Sequence, residues 1–175
     1  MRQQWNKLLP LSEEYLLSRL ILERVKPTEP AILDMVRNHY SHRDNVEKRP
    51  RTKKTSKTWW SNARLVVFSD PERTLVFAWQ WPKDGIRKDG QNGFNNTLFH
   101  RSERCPHKAS DIVLAAERAV VEHWGTNRAY TYVDPEKVAS ANPGYCYKVV
   151  GWKQIRLSKT GKPLLEKELG SGTND

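Results

Sequence analysis

Residues 63–81, ARLVVFSDPERTLVFAWQW, hold two apolar stretches that are rich in β-branched and aromatic residues. The first is ARLVVFS at 63–69, the second is TLVFAWQW at 74–81, and the turn sequence DPER separates them. Two such stretches around a short polar turn predict a β-hairpin. We therefore place an antiparallel pair of strands here and build the rest of the fold around it.

Further elements lie on both sides of the hairpin. The hydroxyl of Thr28 and the proline two residues later predict the start of a helix that runs to about Tyr40. Ser110 precedes an apolar stripe that ends at Gly125, which predicts an amphipathic helix with Ser110 as its N-cap. Residues 16–25 fit either a strand or the end of a helix. Further strands are predicted at 93–101, 129–133, 153–158 and 163–169, with a short helical piece before the last two. This order favours an α/β fold with a mixed sheet.

The composition indicates one folded domain in a chain of 175 residues, of which 37% are hydrophobic and 10% aromatic. No apolar run approaches the roughly 18 residues of a membrane span, and the first residues lack the apolar centre of a secretory signal. We therefore expect a cytoplasmic protein in which Cys105 and Cys146 are reduced. The expected organisation is an N-terminal segment at 1–19, a single domain at 20–169 with a basic loop at 41–58, and a disordered tail at 170–175.

The charge is strongly basic, with 30 lysines and arginines against 20 acidic residues and a formal net charge of +10. Such an excess indicates a polyanionic partner such as DNA, RNA or an acidic cofactor. The basic residues are concentrated at 37–57 and again at 148–167. A solvated loop that only aids solubility is the alternative for the first cluster.

We expect the first cluster and its neighbours to face phosphates and bases. Trp79 and Trp81 point to one face of their strand, where they fill the core or stack on a displaced base. The candidate substrate-binding and DNA-binding residues are His39, Tyr40, Ser41, Arg43, Arg49, Arg51, Lys53, Lys54, Lys57, Trp59 and Trp60.

Residues 142–152, NPGYCYKVVGW, together with the order of elements, resemble the GNAT acyltransferase family over roughly residues 20–168. Tyr147 stands four residues before Gly151, as the family's tyrosine does before its glycine, and Trp152 replaces the usual phenylalanine. The resemblance implies a GNAT-like mixed, mostly antiparallel central sheet flanked by helices. It also implies a small-group donor, for which acetyl-CoA or another acyl-CoA is a candidate.

The loop that should hold this donor departs from the family pattern. Family members usually carry Q/R-x-x-G-x-G/A between the fourth strand and the next helix, whereas residues 101–110 here are RSERCPHKAS, without glycine. Those glycines let backbone N–H groups approach a pyrophosphate, so side-chain charge would have to replace them. The candidate donor-binding residues are Arg101, Ser102, Arg104, Lys108, Ser110 and Asn142.

The stretch HYSH at 39–42 and the stretch NPGYCY near the end also resemble phage-encoded DNA modification proteins of the Mom type. This resemblance implies transfer of a small acyl or carbamoylmethyl-type group to a base amino group, which protects DNA from restriction in the host cytoplasm. It implies double-stranded DNA as the partner, agrees with the basic charge, and leaves the oligomeric state open, a homodimer included. Two alternatives remain: an acetyl-CoA-dependent N-acetyltransferase acting on a free amine or a hypermodified base, and a non-catalytic DNA-binding module.

Three residues are candidates for the chemistry. Asp134 follows a strand and is a candidate proton acceptor, or it caps the turn before Pro135. Tyr145 and Tyr147 are candidates for positioning the transferred group or protonating a leaving group, or they are ordinary half-buried tyrosines. No metal site is predicted, because the histidines at 39, 42, 100 and 107 lack a known ligand spacing.

Overall fold

The computed structural model describes residues 20–39, 63–82, 85–87, 89–138 and 140–170. The strands are β1 (Glu23–Val25), β2 (Ala63–Ser69), β3 (Leu75–Pro82), β4 (Phe94–Arg101), β5 (Asn127–Tyr132), β6 (Lys153–Leu157) and β7 (Pro163–Leu169). The helices are α1 (Pro30–Asn38), between β1 and β2, α2 (Ala109–Trp124), between β4 and β5, and α3 (Tyr145–Lys148), between β5 and β6.

The strands form one seven-stranded sheet in the order β1-β2-β3-β4-β5-β7-β6. All neighbouring strands are antiparallel except β4 and β5, which run parallel and are joined by the crossover helix α2. The predicted fold class, a mixed and mostly antiparallel sheet with helices, is confirmed. In this parallel pair, the carboxyl ends of β4 and β5 lie side by side at the same edge of the sheet.

Each face of the sheet is covered by a different helix. On one face, α2 buries Ile112 and Val113 against Phe77, Trp79 and other residues of the sheet. The core interpretation of Trp79 is therefore confirmed, since its side chain is fully buried. On the other face, α1 buries an apolar stripe against β2, β3 and β4. That second cluster consists of Val25, Ile32, Met35, Val36, Val67, Val76, Ala78 and Leu98.

The local predictions hold for most elements, with differences at the helix starts. The stretch at 16–25 contains the short strand β1, which pairs with β2. Thr28 does not cap α1, because Glu29 occupies the N-cap position and makes no side-chain capping bond. Ser110 likewise lies inside the first turn of α2, since Lys108 is the N-cap residue and its carbonyl accepts the N–H groups of Asp111 and Ile112.

Candidate active site

The parallel strands β4 and β5 separate towards their carboxyl ends. Their register comprises two pairs, Phe94 with Ala129 and Asn95 with Tyr130, although both strands continue further. At the next position the hydroxyl of Thr131 donates to the carbonyl of Asn96 at 3.0 Å. Ligands of open α/β sheets bind outside the carboxyl ends of parallel strands, so this opening is the candidate site.

A β-bulge shapes the β4 side of the opening. Ala78 of β3 pairs with Leu98, whereas the next residue pairs with Asn96, so Thr97 is the extra residue. The side-chain nitrogen of Asn96 donates to the backbone carbonyls of Ala78 and Leu98, each at 3.0 Å. Asn96 is buried, and its amide therefore fixes the bulge beside the opening.

Tyr147 from α3 reaches this point from the other side. Its hydroxyl donates to the side-chain oxygen of Asn96 at 2.5 Å, and the tyrosine is only 6% exposed. Its ring packs edge-on against Phe99 of β4 and Trp152, with centroids at 6.4 and 5.1 Å. The hydroxyl is thus held where β4 and β5 part.

The backbone before α3 allows this close approach. Gly144 has a left-handed conformation with φ +77°, which side chains rarely adopt. A Cβ atom there would lie 2.7 Å from Leu165 Cδ1 and 3.2 Å from Val133 Cγ2. Glycine therefore lets the start of α3 lie directly against β7 and the end of β5.

A buried polar network holds the segment after α3. Glu117 of α2 accepts hydrogen bonds from Trp152 Nε1 and Lys167 Nζ, both at 2.6 Å. Lys167 also donates to the carbonyl of Val150 at 2.7 Å. These bonds connect α2, β7 and the turn after α3. They hold Trp152 in place, and its ring packs against the ring of Tyr147.

The β4–α2 loop, residues 102–108, presents positive charge at the start of α2. Arg104 and Lys108 are exposed, and Arg101 donates to the carbonyl of His107 at 2.7 Å. The hydroxyl oxygen of Ser102 is buried and has no hydrogen-bond partner among the described residues. A helix N-terminus without a side-chain cap favours an anion there.

The chemistry of this loop decides whether it fits a phosphate-bearing donor. It has no glycine, and Pro106 lacks an N–H group, so it offers fewer backbone donors than a glycine-rich loop. Its cationic side chains and the Ser102 hydroxyl supply donors instead. The residues present therefore fit a phosphate group through side-chain charge rather than through a backbone cradle.

The two cysteines flank the candidate site and are free thiols. Cys105 of the loop and Cys146 of α3 are half-buried and pack against the α2-side core. Burial raises the pKa of the Cys146 thiol, with a smaller opposing effect from the charge of Arg101. A thiol that stays protonated at neutral pH is a poor nucleophile.

Asp134 forms the turn after β5. Its carboxylate pairs with Lys162 at 2.8 Å and accepts the N–H of Glu136 at 3.2 Å. The hydrogen bond from Lys162 lowers the pKa of Asp134, which outweighs the effect of partial burial. These contacts favour the turn-capping interpretation, because a paired carboxylate with a low pKa is a weak base.

The remaining candidates occupy different surroundings. Tyr145 is 59% exposed at the start of α3, so it differs from buried Tyr147 two residues later. The side-chain oxygen of Asn142 accepts a hydrogen bond from Lys148 at 2.9 Å. His39 is buried at the end of α1, where its ring meets that of His100 edge-on at 5.9 Å. Since His100 shares its strand face with Leu98, His39 lies on the sheet face opposite to Tyr147.

Most of the predicted DNA-binding residues lie outside the described part of the chain. These are Tyr40, Ser41, Arg43, Arg49, Arg51, Lys53, Lys54, Lys57, Trp59 and Trp60. Within the described residues, no group of three or more His, Cys, Asp or Glu side chains is arranged to hold a metal ion. None of the helices that the structure describes is long and apolar enough to cross a bilayer.

Sequence reasoning missed Asn96, Glu117 and Lys167. Asn96 lies 51 residues before Tyr147, and Glu117 lies 35 residues before Trp152, so no local spacing connects them. One signal was present for Asn96: asparagine is unfavourable in strands, yet the strand GFNNTLFHR contains two. A polar residue in a strand that otherwise packs well indicates a special role for its side chain.

Comparison with known proteins agrees with this architecture. No protein-family model matches the sequence, and no curated protein matches it significantly. Among solved structures, the chain is similar to a Corynebacterium glutamicum protein described as histone acetyltransferase HPA2 and related acetyltransferase. The TM-score is 0.52 at 13% identity, over 87% of this chain and 98% of that one. This chain has a GNAT-like fold.

Within this fold, some of the described candidate residues lie together and others do not. Tyr147, Asn96 and the β4–α2 loop border the opening between β4 and β5, and the loop's Cys105 packs on the same core as Cys146 of α3. His39 lies on the other face of the sheet. The structure thus brings together one tyrosine, one asparagine and a basic loop from three parts of the sequence.

Proposed function

We propose that this protein transfers an acyl group from an acyl thioester, with acetyl-CoA as the expected donor, to a primary amine. The observation that carries the proposal is the Tyr147 hydroxyl, which lies where β4 and β5 part and bonds to buried Asn96. The GNAT fold supports a group-transfer enzyme of this kind. The basic loop before α2 supports a donor that bears phosphate.

The proposed chemistry assigns the leaving group's proton to Tyr147. The amine nitrogen forms the new C–N bond to the carbonyl carbon, the C–S bond breaks, and Tyr147 protonates the departing sulfur. The amine gives up one proton in the same reaction, so the products are an amide and a free thiol. Asp134 remains the sequence-derived candidate for accepting that proton, although its ion pair with Lys162 makes it a weak base.

Donor binding would fall to the loop and the start of α2. Arg104 and Lys108 would meet phosphate oxygens with side-chain charge, and the first N–H groups of α2 would add their partial positive charge. The buried hydroxyl of Ser102 is a further donor that has no partner in the part of the chain that the structure describes. Arg118, exposed further along α2, is a matched control for the loop's charges.

The test is an acyl-transfer assay in which acetyl-CoA is offered with a polyamine, a lysine-containing peptide and a 2-amino sugar, and free thiol is measured. Tyr147→Phe should lose activity about 100-fold or more, the usual contribution of a positioned acid. Tyr145→Phe provides the comparison, because Tyr145 is exposed and Tyr147 is buried. If only Tyr145→Phe is impaired, the acid has been assigned to the wrong tyrosine. If the protein neither binds CoA nor releases thiol with any amine, the proposed function is wrong.

A second candidate function is modification of DNA bases. The observation in its favour is the formal net charge of +10, which a small-molecule acetyltransferase does not need. Part of this charge lies on the described β6–β7 hairpin, where Lys153, Arg156 and Lys159 are all exposed. We infer that these side chains would contact phosphates if DNA is the acceptor.

Mass spectrometry of nucleosides tests this second candidate. DNA from cells that express the protein should contain a nucleoside of new mass, and DNA from cells that express Tyr147→Phe should not. Salt-sensitive DNA binding without a new mass would instead support a DNA-binding module that lacks chemistry. Neutralising Lys153, Arg156 and Lys159 should reduce the salt slope of DNA binding, whereas neutralising Arg118 should change it less.

A further inference from the structure

We propose that Asn96 is a positioning residue for Tyr147: its side-chain oxygen accepts the O–H of the resting tyrosine and so holds the phenol oxygen at the opening between β4 and β5. The inference rests on the proposed acyl transfer, in which Tyr147 supplies a proton. The two residues are 51 positions apart in the chain, and both are buried.

The amide of Asn96 can adopt only one orientation. Its nitrogen faces two backbone carbonyls, those of Ala78 and Leu98, each at 3.0 Å. Carbonyl oxygens only accept hydrogen bonds, so the atom that faces them must be the NH₂ group. The other amide atom, the oxygen, is therefore turned towards Tyr147 and cannot exchange places with the nitrogen.

This orientation determines the hydrogen-bond partner of the Tyr147 O–H before a substrate arrives. The Asn96 oxygen is an acceptor, so the tyrosine O–H must donate to it across the 2.5 Å contact. Asn96 thus holds the phenol oxygen in place before a substrate arrives, and the O–H turns from Asn96 to the departing sulfur when the C–S bond breaks.

The β-bulge holds Asn96 rigidly enough for it to position Tyr147. Thr97 is an extra residue in β4 that has no paired residue in β3, and it disrupts the hydrogen-bond ladder there. The Asn96 side chain supplies donors to two carbonyls at this disruption. The Thr131 hydroxyl also holds the Asn96 carbonyl from β5, so both strands bordering the opening fix this residue.

A suitable control lies next to Asn96. Asn95 is on the same strand, is 7% exposed where Asn96 is 5% exposed, and points to the opposite face of the sheet. Substitution of either asparagine removes a buried amide from β4. Only substitution of Asn96 removes the acceptor that faces Tyr147.

The test combines a spectroscopic signature with kinetics on the full chain. Raman spectra report through the tyrosine Fermi doublet whether a phenolic O–H donates, and subtracting the spectrum of Tyr147→Phe isolates Tyr147. In Asn96→Ser, the serine hydroxyl can still donate at the bulge but is too short to reach Tyr147. This variant should therefore lose the Raman signature of a donating tyrosine O–H. Asn95→Ala leaves the Asn96 oxygen in place and should retain this signature.

Kinetics provide the second measurement. Asn96→Ser should lower kcat about tenfold and leave the KM for acetyl-CoA within about twofold. The reason is that the change acts on Tyr147, which supplies the proton, and not on the residues that bind acetyl-CoA. Asn95→Ala should leave kcat near the wild-type value. If Asn96→Ser does not fold, Asn96→Thr, which keeps a short hydroxyl donor on a side chain suited to a strand, gives the same comparison with Asn95→Ala.

The outcomes separate this inference from the proposed function. An unchanged donor signature in Asn96→Ser, or an equal loss in Asn95→Ala, overturns the inference whatever the enzyme's activity. Acyl transfer with an unchanged kcat in Asn96→Ser also overturns it but leaves the proposed function intact. Absence of acyl transfer in the wild type contradicts the proposed function, while the Raman comparison still decides whether Asn96 orients Tyr147.

Discussion

Glu117 of α2 accepts a 2.6 Å hydrogen bond from the indole nitrogen of Trp152, a residue 35 positions later in the chain. The same carboxylate accepts a bond from Lys167, and all three side chains are buried or half-buried. A carboxylate that serves two donors at once connects the helix to the segment that carries Tyr147. The stability of the candidate site should therefore depend on a residue that does not line it.

Glu117→Ala should destabilise the protein strongly, because it leaves the Lys167 ammonium and the Trp152 N–H without their acceptor. We expect the free energy of unfolding to fall by about 3 kcal/mol, as found when one partner of a buried pair is removed. Urea denaturation measures this change. Glu122→Ala, at an exposed position of the same helix, should change the value by less than about 0.5 kcal/mol. Similar effects of the two substitutions would contradict the role of the network.

Gly144→Ala should impair both stability and activity. The new Cβ would meet Leu165 Cδ1 at 2.7 Å and would also occupy a left-handed backbone conformation at φ +77°. We expect a loss of about 2 kcal/mol in unfolding free energy and a displaced α3. Gly161→Ala separates the two causes, since Gly161 has φ +76° but nothing within 4 Å of the added atom. Equal losses in both variants would show that crowding at Gly144 is unimportant.

Asp70 should make the stability depend on acidic pH. Burial tends to raise its pKa, but hydrogen bonds from the Thr74 hydroxyl and from the N–H groups of Thr74 and Leu75 lower it overall. A depressed pKa in the folded state means that the carboxylate stabilises the fold above its unfolded pKa of about 3.9. That stabilisation is lost as the pH falls through the lower folded-state value.

Asp70→Asn tests this dependence. At pH 7 the variant should be less stable by about 1–3 kcal/mol, because one member of a buried hydrogen-bond set is replaced. Between about pH 5 and pH 2 its unfolding free energy should change less with pH than that of the wild type. Glu72→Gln, in the same turn but exposed, serves as the control. Parallel pH curves for wild type and Asp70→Asn would refute the assignment.

Cys146 should react slowly with thiol reagents at neutral pH. Burial raises the pKa of its thiol, so the reactive thiolate is scarce. The rate of alkylation by iodoacetamide, measured in Cys105→Ala so that one thiol remains, should keep rising with pH beyond the ordinary range of a free cysteine. Cys146→Ala should retain most of the transfer activity. Loss of activity comparable to that of Tyr147→Phe would instead make the thiol a participant in the reaction.

The sequence alone determined most of the local structure. The β2–β3 hairpin, α2 with its end at Gly125, and the β6–β7 hairpin all agree with the predicted segments to within a few residues. These elements depend on periodicity, turn residues and terminal glycine, which act over a few positions. The motif around Tyr147 also singled out a residue that the structure places at the opening of the sheet.

The tertiary structure decided which side chains meet. Tyr145 and Tyr147 were equivalent candidates in sequence, yet one is 59% exposed and the other 6%. In the sequence, Asp134 is either a base or a turn cap, and its ion pair with Lys162, 28 residues further along, favours the turn cap. Asn96 carried no assigned role, because its partner lies on another element 51 residues away. Local patterns determine where strands and helices form, whereas the pairing of β4 with β5 and the placing of α3 against them depend on the packing of the whole sheet.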